Sequence, residues 1–199
     1  MTIVLRGVAQ VAGIAALTVL AACASTPAPG PAYMLDPTHS FVTFELPASG
    51  LSTQRGRFDR TRGEVEFDRL GRSASVEVRI DTRSVSTGVA ALDARLCAPD
   101  VLDCEAHPQA VFRARQFSFD DGGLPTQVSG SLTLRGQTLP LTLRARHFNC
   151  YPNLLLLREV CGGDFEAAIE PAAFGIAAGA GSAIPERIPL FVQVEAIKQ

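Results

Sequence analysis

Five cysteines and three histidines are the residues of this 199-residue chain most able to do chemistry. His39 stands three positions after Asp36, a spacing at which a carboxylate can orient an imidazole as a general base. No serine or cysteine nears them in a nucleophile elbow, so the pair is expected to be structural or to lend polarity to the mouth of a site. His107 precedes Pro108, and His147 sits beside Cys150; histidines this scattered argue against a metal or haem site. Cys97, Cys104, Cys150 and Cys161 lack the short CxxC spacing of a zinc knuckle, and disulfides are expected instead. Four cysteines allow three pairings, and pairing by proximity, Cys97–Cys104 and Cys150–Cys161, closes the shortest loops. One helix through 97–104 would hold the first pair about 10 Å apart, too far to bridge, but Pro99 breaks it.

The fifth cysteine needs a separate job. Arg6 precedes an apolar run, Gly7 to Leu20, that is short for a bilayer span and ends in Leu20-Ala21-Ala22-Cys23. That ending resembles a bacterial lipobox, in which the peptide is cut before the cysteine and the thiol is diacylated. Residues 1–22 are therefore expected to be a lipoprotein signal peptide. Residues 23–32 would form the lipidated Cys23 with a Pro/Ala tether, and 33–199 the folded domain. Ala24, not Asp, follows the cysteine, which favours a periplasmic protein anchored to the outer membrane. The formal charge of −2 argues against a nucleic-acid partner, which would need a basic face.

The elements that must position these groups show period two, the mark of strands with one buried face. Ser40 to Leu46 sets Val42, Phe44 and Leu46 against Thr43 and Glu45; Gly63 to Asp68 sets Val65 and Phe67 against acids. Val76 to Asp81, Val128 to Leu134, Leu139 to Ala145 and Ile188 to Ala196 repeat the alternation. Phe112 and Ala114 disagree in parity with Phe117 and Phe119, which predicts a bulge between them. Gly136-Gln137 and Asp121-Gly122-Gly123 mark hairpins. Only Gly88 to Leu96 has helical spacing. The fold is all-β, with about eight strands and one short helix, a sandwich or a barrel; period and composition do not separate the two.

A series of motifs in order resembles the YceI-like polyisoprenoid-binding family. Asp36-Pro37-Thr38-His39-Ser40-Phe41-Val42-Thr43-Phe44 is similar to its opening strand, and Gly50-Leu51-Ser52 with Gly56-Arg57-Phe58 to its next turn and strand. Ile80 to Thr87, Leu102-Asp103 with His107 to Phe112, Gly130 to Gly136 with Pro140 to Leu143, and Phe165-Glu166 with Phe174-Gly175-Ile176 complete the series. A His that the family often carries two residues before the first glycine is replaced by Ala48. The resemblance spans about residues 33–197. It implies an eight-stranded antiparallel lipocalin-like barrel with an elongated apolar pore for an isoprenoid lipid, a polyprenyl phosphate or a quinone tail. No catalytic activity and no cofactor beyond that lipid are expected; the alternatives are an enzyme acting on a bound lipid through His39 and Asp36, or a ligand-free structural or stress-protective envelope protein.

An apolar tail needs shape and apolar surface rather than polar chemistry. The candidate lining is the inward set Val42, Phe44, Leu46, Phe58, Val65, Phe67, Val78, Ile80, Phe112, Leu132, Leu134, Leu141 and Leu143, with His39 and Asp36 at the mouth. Arg55, Arg57, Arg60 and Arg62 cluster at one turn and are expected to be solvated there, rather than to meet a phosphate. Leu154-Leu155-Leu156-Leu157 lies in a hairpin between Cys150 and Cys161; packing over one barrel end is expected, a rim contact with lipid being the alternative.

Overall fold

A computed structural model describes residues 30–48, 51–177 and 184–199. The signal segment 1–22, Cys23, the tether up to residue 29 and the motif glycine Gly50 lie outside the described residues.

Three of the barrel's long strands are each interrupted once. β1 (Ala32–Leu35) and β2 (Phe41–Ala48) lie end to end, as do β3 (Ser52–Phe58) with β4 (Thr61–Asp68), and β5 (Ser73–Asp81) with β6 (Val85–Ser86). The other five are continuous: β7 (Gln109–Phe119), β8 (Pro125–Leu134), β9 (Gln137–Asn153), β10 (Arg158–Ile169) and β11 (Ile188–Lys198). Each long strand pairs antiparallel with the next in sequence. The ring closes where β11 meets both β1 (Tyr33 opposite Lys198) and β2 (Phe44 opposite Leu190). Eight long strands thus make a closed meander, and the choice left open between sandwich and barrel falls to the barrel.

The interruptions explain the buried polar residues. Ser40, Thr61, Thr82 and Ser84 are the buried polar side chains among the described residues, and all four lie at or beside a break. At three of these positions hydroxyls serve where the ladder fails: Glu195 N donates to Ser40 Oγ (3.2 Å), Arg60 N to Ser84 Oγ (3.0 Å), and Thr82 Oγ1 to His107 O (2.7 Å), whereas the buried Thr61 Oγ1 has no hydrogen-bond partner among the described residues. The expected bulge in β7 is present, with the register slipping between Ala114 and Gln116. A second slip lets β9 pass from Ala145 to His147 against consecutive residues of β10. A glycine faces each bend. A Cβ on Gly130 would stand 2.1 Å from Arg113 O, and one on Gly163 2.0 Å from His147 O, so the strands approach too closely there for any side chain.

One end of the barrel is stoppered. The short helix α1 (Ala90–Leu96) follows Thr87, whose N–H and hydroxyl both donate to Asp93 Oδ1 (2.7 and 2.6 Å). Both proximity disulfides form. Cys97–Cys104 closes the loop after α1, and Cys150–Cys161 joins directly paired residues of β9 and β10. Leu96, Val101 and Leu102 of the helix and its loop are buried. Arg135, in the β8–β9 turn with Gly136 (φ 50° and 75°), donates to the carbonyls of Pro99 (2.9 Å) and Val101 and so clamps this stopper.

The four leucines do not pack over a barrel end. Leu154, Leu155 and Leu157 are 83, 95 and 86% exposed, because the β9–β10 turn carries them beyond the wall. Asn153 Oδ1 accepts from the amides of Leu155 (3.0 Å) and Leu156 (3.1 Å) and fixes that turn.

Candidate functional site

The barrel encloses an apolar cavity of about 190 Å³. All thirteen sequence-chosen residues, from Val42 on β2 to Leu143 on β9, lie in its lining. Period two is the reason: each strand alternates, and closure turns every inward row onto the same space. The sequence reading omits Tyr33, Val128, Phe148 and Phe165, and also Ile176 and Ile184, which enter from the irregular stretch before β11.

The cavity is not uniform along its length. Toward the stopper it is aliphatic, with Leu96, Val101, Leu102, Leu134 and Ile188. Toward the other end aromatic rings gather around Phe67, whose centroid lies 6.3 Å from Tyr33, 6.4 Å from Phe119 and 6.0 Å from Phe148. Phe148 in turn meets Phe165 at 6.0 Å.

Among the described lining residues only Tyr33 carries a hydroxyl, and that group is committed. It donates to Glu159 Oε1 at 2.6 Å, and Lys198 Nζ stands 3.4 Å from the same oxygen. Burial, then the hydrogen bond to Glu159, pushes the Tyr33 phenol far above its ordinary value. The same hydrogen bond, against the opposing effect of burial and with Lys198 adding its charge, holds Glu159 below the usual carboxylate value. Among the described residues a ligand inside the barrel therefore meets carbon, the bridged Cys161 and one occupied hydroxyl.

His39 and Asp36 come together but away from this space. Nδ1 of His39 is 2.8 Å from Asp36 Oδ2 in the break between β1 and β2, its side chain is 57% exposed, and neither residue lines the cavity. Hydrogen bonds from Thr38 first, then His39, lower the Asp36 pKa; the bond to Asp36 first, then the field of Glu195, raises that of His39. The signs define a window. A raised histidine contributes stability that is complete below its ordinary 6.5 and lost as pH rises through the folded value. A depressed aspartate contributes above its ordinary 3.8 and loses it as pH falls through the folded value. Asp36→Asn is expected to bring the His39 titration, followed by NMR, back toward 6.5; an unmoved titration would show that the carboxylate does not hold the imidazole.

The four arginines lie along the interrupted strand β3–β4 rather than at a turn, and three are ion-paired on the surface, Arg55 with Glu45 (2.8 Å), Arg57 with Asp59 (2.6 Å) and Arg60 with Asp81 (3.0 Å), while exposed Arg62 stands opposite Arg79 in register. Such exposed pairs contribute little to stability. Among the described residues no group of three or more His, Cys, Asp or Glu is placed to hold a metal ion.

A closed eight-stranded meander around an apolar cavity, stoppered at one end, has the architecture of the lipocalin-like binding barrels. The family model described as a YceI-like domain matches residues 33–196, and the chain belongs to that family. A UPF0312 protein of Pseudomonas aeruginosa is 32% identical over 168 residues, covering 81% of this chain and 83% of that protein. Protein YceI of Escherichia coli is 32% identical over 162 residues, with the same shares covered. Among solved structures, BcnA of Burkholderia cenocepacia aligns with a TM-score of 0.62 at 20% identity, covering 81% of this chain and 98% of that one. A polyisoprenoid binding domain from Saccharophagus degradans, implicated in plant cell wall breakdown, aligns with a TM-score of 0.58 at 16% identity, covering 85% and 99%. At these identities the structural likeness is one of fold.

Proposed function

We propose that this protein is a periplasmic lipoprotein that holds the tail of an isoprenoid-type lipid, a polyprenyl phosphate or a quinone, inside its barrel. The observation that carries this reading is the cavity lining, in which, among the described residues, Tyr33 alone has a hydroxyl and none bears a charge. Binding is passive solvation. Each Å² of tail surface removed from water gains ~25 cal/mol, while a phosphate drawn inside would lose its hydration and find no partner. The head group therefore stays outside. An engineered cavity of ~150 Å³ lined by Leu, Ile and Phe takes up benzene, so the cavity seen here suits a short apolar segment. A longer tail is admitted by turning the incompletely buried rings of Phe58, Phe117 and Phe148.

The lipobox-like Leu20-Ala21-Ala22-Cys23 supports attachment to a membrane through diacylated Cys23, and Ala24 supports the outer membrane. Two disulfides suit an oxidising compartment. A hydrolytic reading through His39 and Asp36 has no comparable support, since neither residue lines the cavity. The test is organic extraction and native mass spectrometry of the full chain purified from membranes. An isoprenoid lipid is expected at up to one per protein. An empty barrel that also ignores added quinone and polyprenol would overturn the reading.

A further inference from the structure

The end of the barrel opposite the stopper turns apolar side chains outward. Leu154, Leu155 and Leu157 project from the β9–β10 turn, and Leu70, in the β4–β5 turn at the same end, is 96% exposed. Leu157 adopts φ +52°, a conformation in which glycine or asparagine would cost less, yet the chain keeps a solvent-facing leucine there. The neck of this hairpin is stapled by Cys150–Cys161, so the leucines sit on a braced support.

Apolar surface continues from the tip onto the wall. Met34, Ile197, Val160 and Tyr151 stand side by side across β1, β11, β10 and β9, each opposite the next in register, with Val160 itself buried at 3% exposure. They point outward, because their strand neighbours Tyr33, Ala196 and Cys161 line the cavity. Met34 and Tyr151 are 42% and 48% exposed. Around this surface Arg69, Arg72 and Arg158 hydrogen-bond to the backbone carbonyls of Gly122, Asp121 and Lys198. Of the acids at this end, Asp68 and Asp120 accept from amides of their own turns and Glu159 from Tyr33, while Glu64 stands opposite Met34 in register and Asp121 lies in the β7–β8 turn.

The path of the chain says what meets this end. Pro31 O accepts from Phe67 N (3.1 Å), so the domain begins here, beside the β4–β5 turn. From Cys23 to Gly30 is seven residues, which reach at most about 25 Å when fully extended. On the reading that Cys23 is acylated, this end of the barrel is the one held against a bilayer. We infer that it docks on the lipid surface, with Leu154–Leu157 inserted among acyl chains and Tyr151 and the rim arginines at head-group level.

The chain contains no Trp, so one introduced at the tip reports alone. Leu155→Trp in the full chain, mixed with phosphatidylcholine/phosphatidylglycerol vesicles carrying brominated acyl chains, is expected to shift to the blue and be quenched. Leu51→Trp, at the stoppered end and 92% exposed before substitution, should do neither. Adding Cys23→Ser separates the two readings. Flotation then reports the anchor, while quenching at position 155 should persist in the unacylated chain. Leu155→Asp with Leu157→Asp in that background should lower vesicle binding roughly tenfold with an unchanged melting curve. An acylated protein that floats with vesicles while position 155 emits as in water would overturn the docking and leave the anchor standing. A blue shift that grows with protein concentration and needs no vesicles would also overturn it, by assigning the leucines to a second copy of the chain.

Discussion

Replacing Cys97 and Cys104 together by alanine is expected to cost about 2.5 kcal/mol, the chain-entropy value for a bridge closing a loop this short. The consequence reaches beyond the number. The bridged loop holds Leu96, Val101 and Leu102 over the aliphatic end of the cavity, and Cys104 itself is buried. Without the bridge the stopper depends on Arg135 gripping two carbonyls, the exposed Arg95–Asp100 pair and the bond from Leu102 N to Leu96 O (3.0 Å). Urea denaturation should show the loss, and hydrogen exchange should quicken at amides 97–104. The Cys150–Cys161 bridge closes a somewhat longer loop and should be worth a similar amount, yet its removal leaves the stopper in place. A double variant as stable as the parent would mean the unfolded chain gains no freedom from the cut.

Phe67→Ala is expected to be the more damaging change, at about 3–5 kcal/mol. Phe67 is 5% exposed and touches Tyr33, Phe119 and Phe148, so its removal deletes three ring contacts as well as buried area. The melting temperature should fall by roughly 6–20 °C, taking ~2–4 °C per kcal/mol for a domain of this size. The space left behind adjoins the cavity, and that gives the experiment a second readout. If the barrel binds an isoprenoid tail, added polyprenol should restore more stability to the variant than to the parent. A loss below about 1 kcal/mol would show that the surrounding rings close over the gap.

Much of this wall is legible in the chain because alternation is local. Val65 and Phe67 among acids, or Leu132 and Leu134 beside Thr133, announce their faces without reference to any partner. The bulge at Arg115 is legible for the same reason, as a parity break between Ala114 and Phe117. Ala145 and Phe148 make an equal parity break around the bulge in β9, so the sequence carries that signal too. What local pattern does not carry is closure. Tyr33 is buried because β1 meets β11 from the far end of the chain, and Ile176 and Ile184 because an irregular segment folds onto the barrel. Nor does hydrophobicity reveal direction in a turn. Four leucines in a row argue for burial, whereas the hydrogen bonds to Asn153 turn them out. The His39–Asp36 pair was foreseeable from its spacing, but its distance from the cavity follows from where β1 breaks.

The order of the strands has a kinetic consequence. Seven seams of the ring join strands adjacent in sequence; five of them, with connections of two to five residues, can zip as hairpins once their two strands exist, while β5–β7 and β10–β11 must first close longer connections. The eighth joins Tyr33 to Lys198 and Phe44 to Leu190, across nearly the whole domain. Loop-closure entropy grows only slowly with length, so the long separation is a modest thermodynamic burden. Its cost falls on time instead. Until β11 is in place the sheet has two unpaired edges and an open apolar face, the form in which a β-sheet recruits other chains. Without the eleven residues of β11, β10 on one side and β1 and β2 on the other would all be left unpaired along that seam.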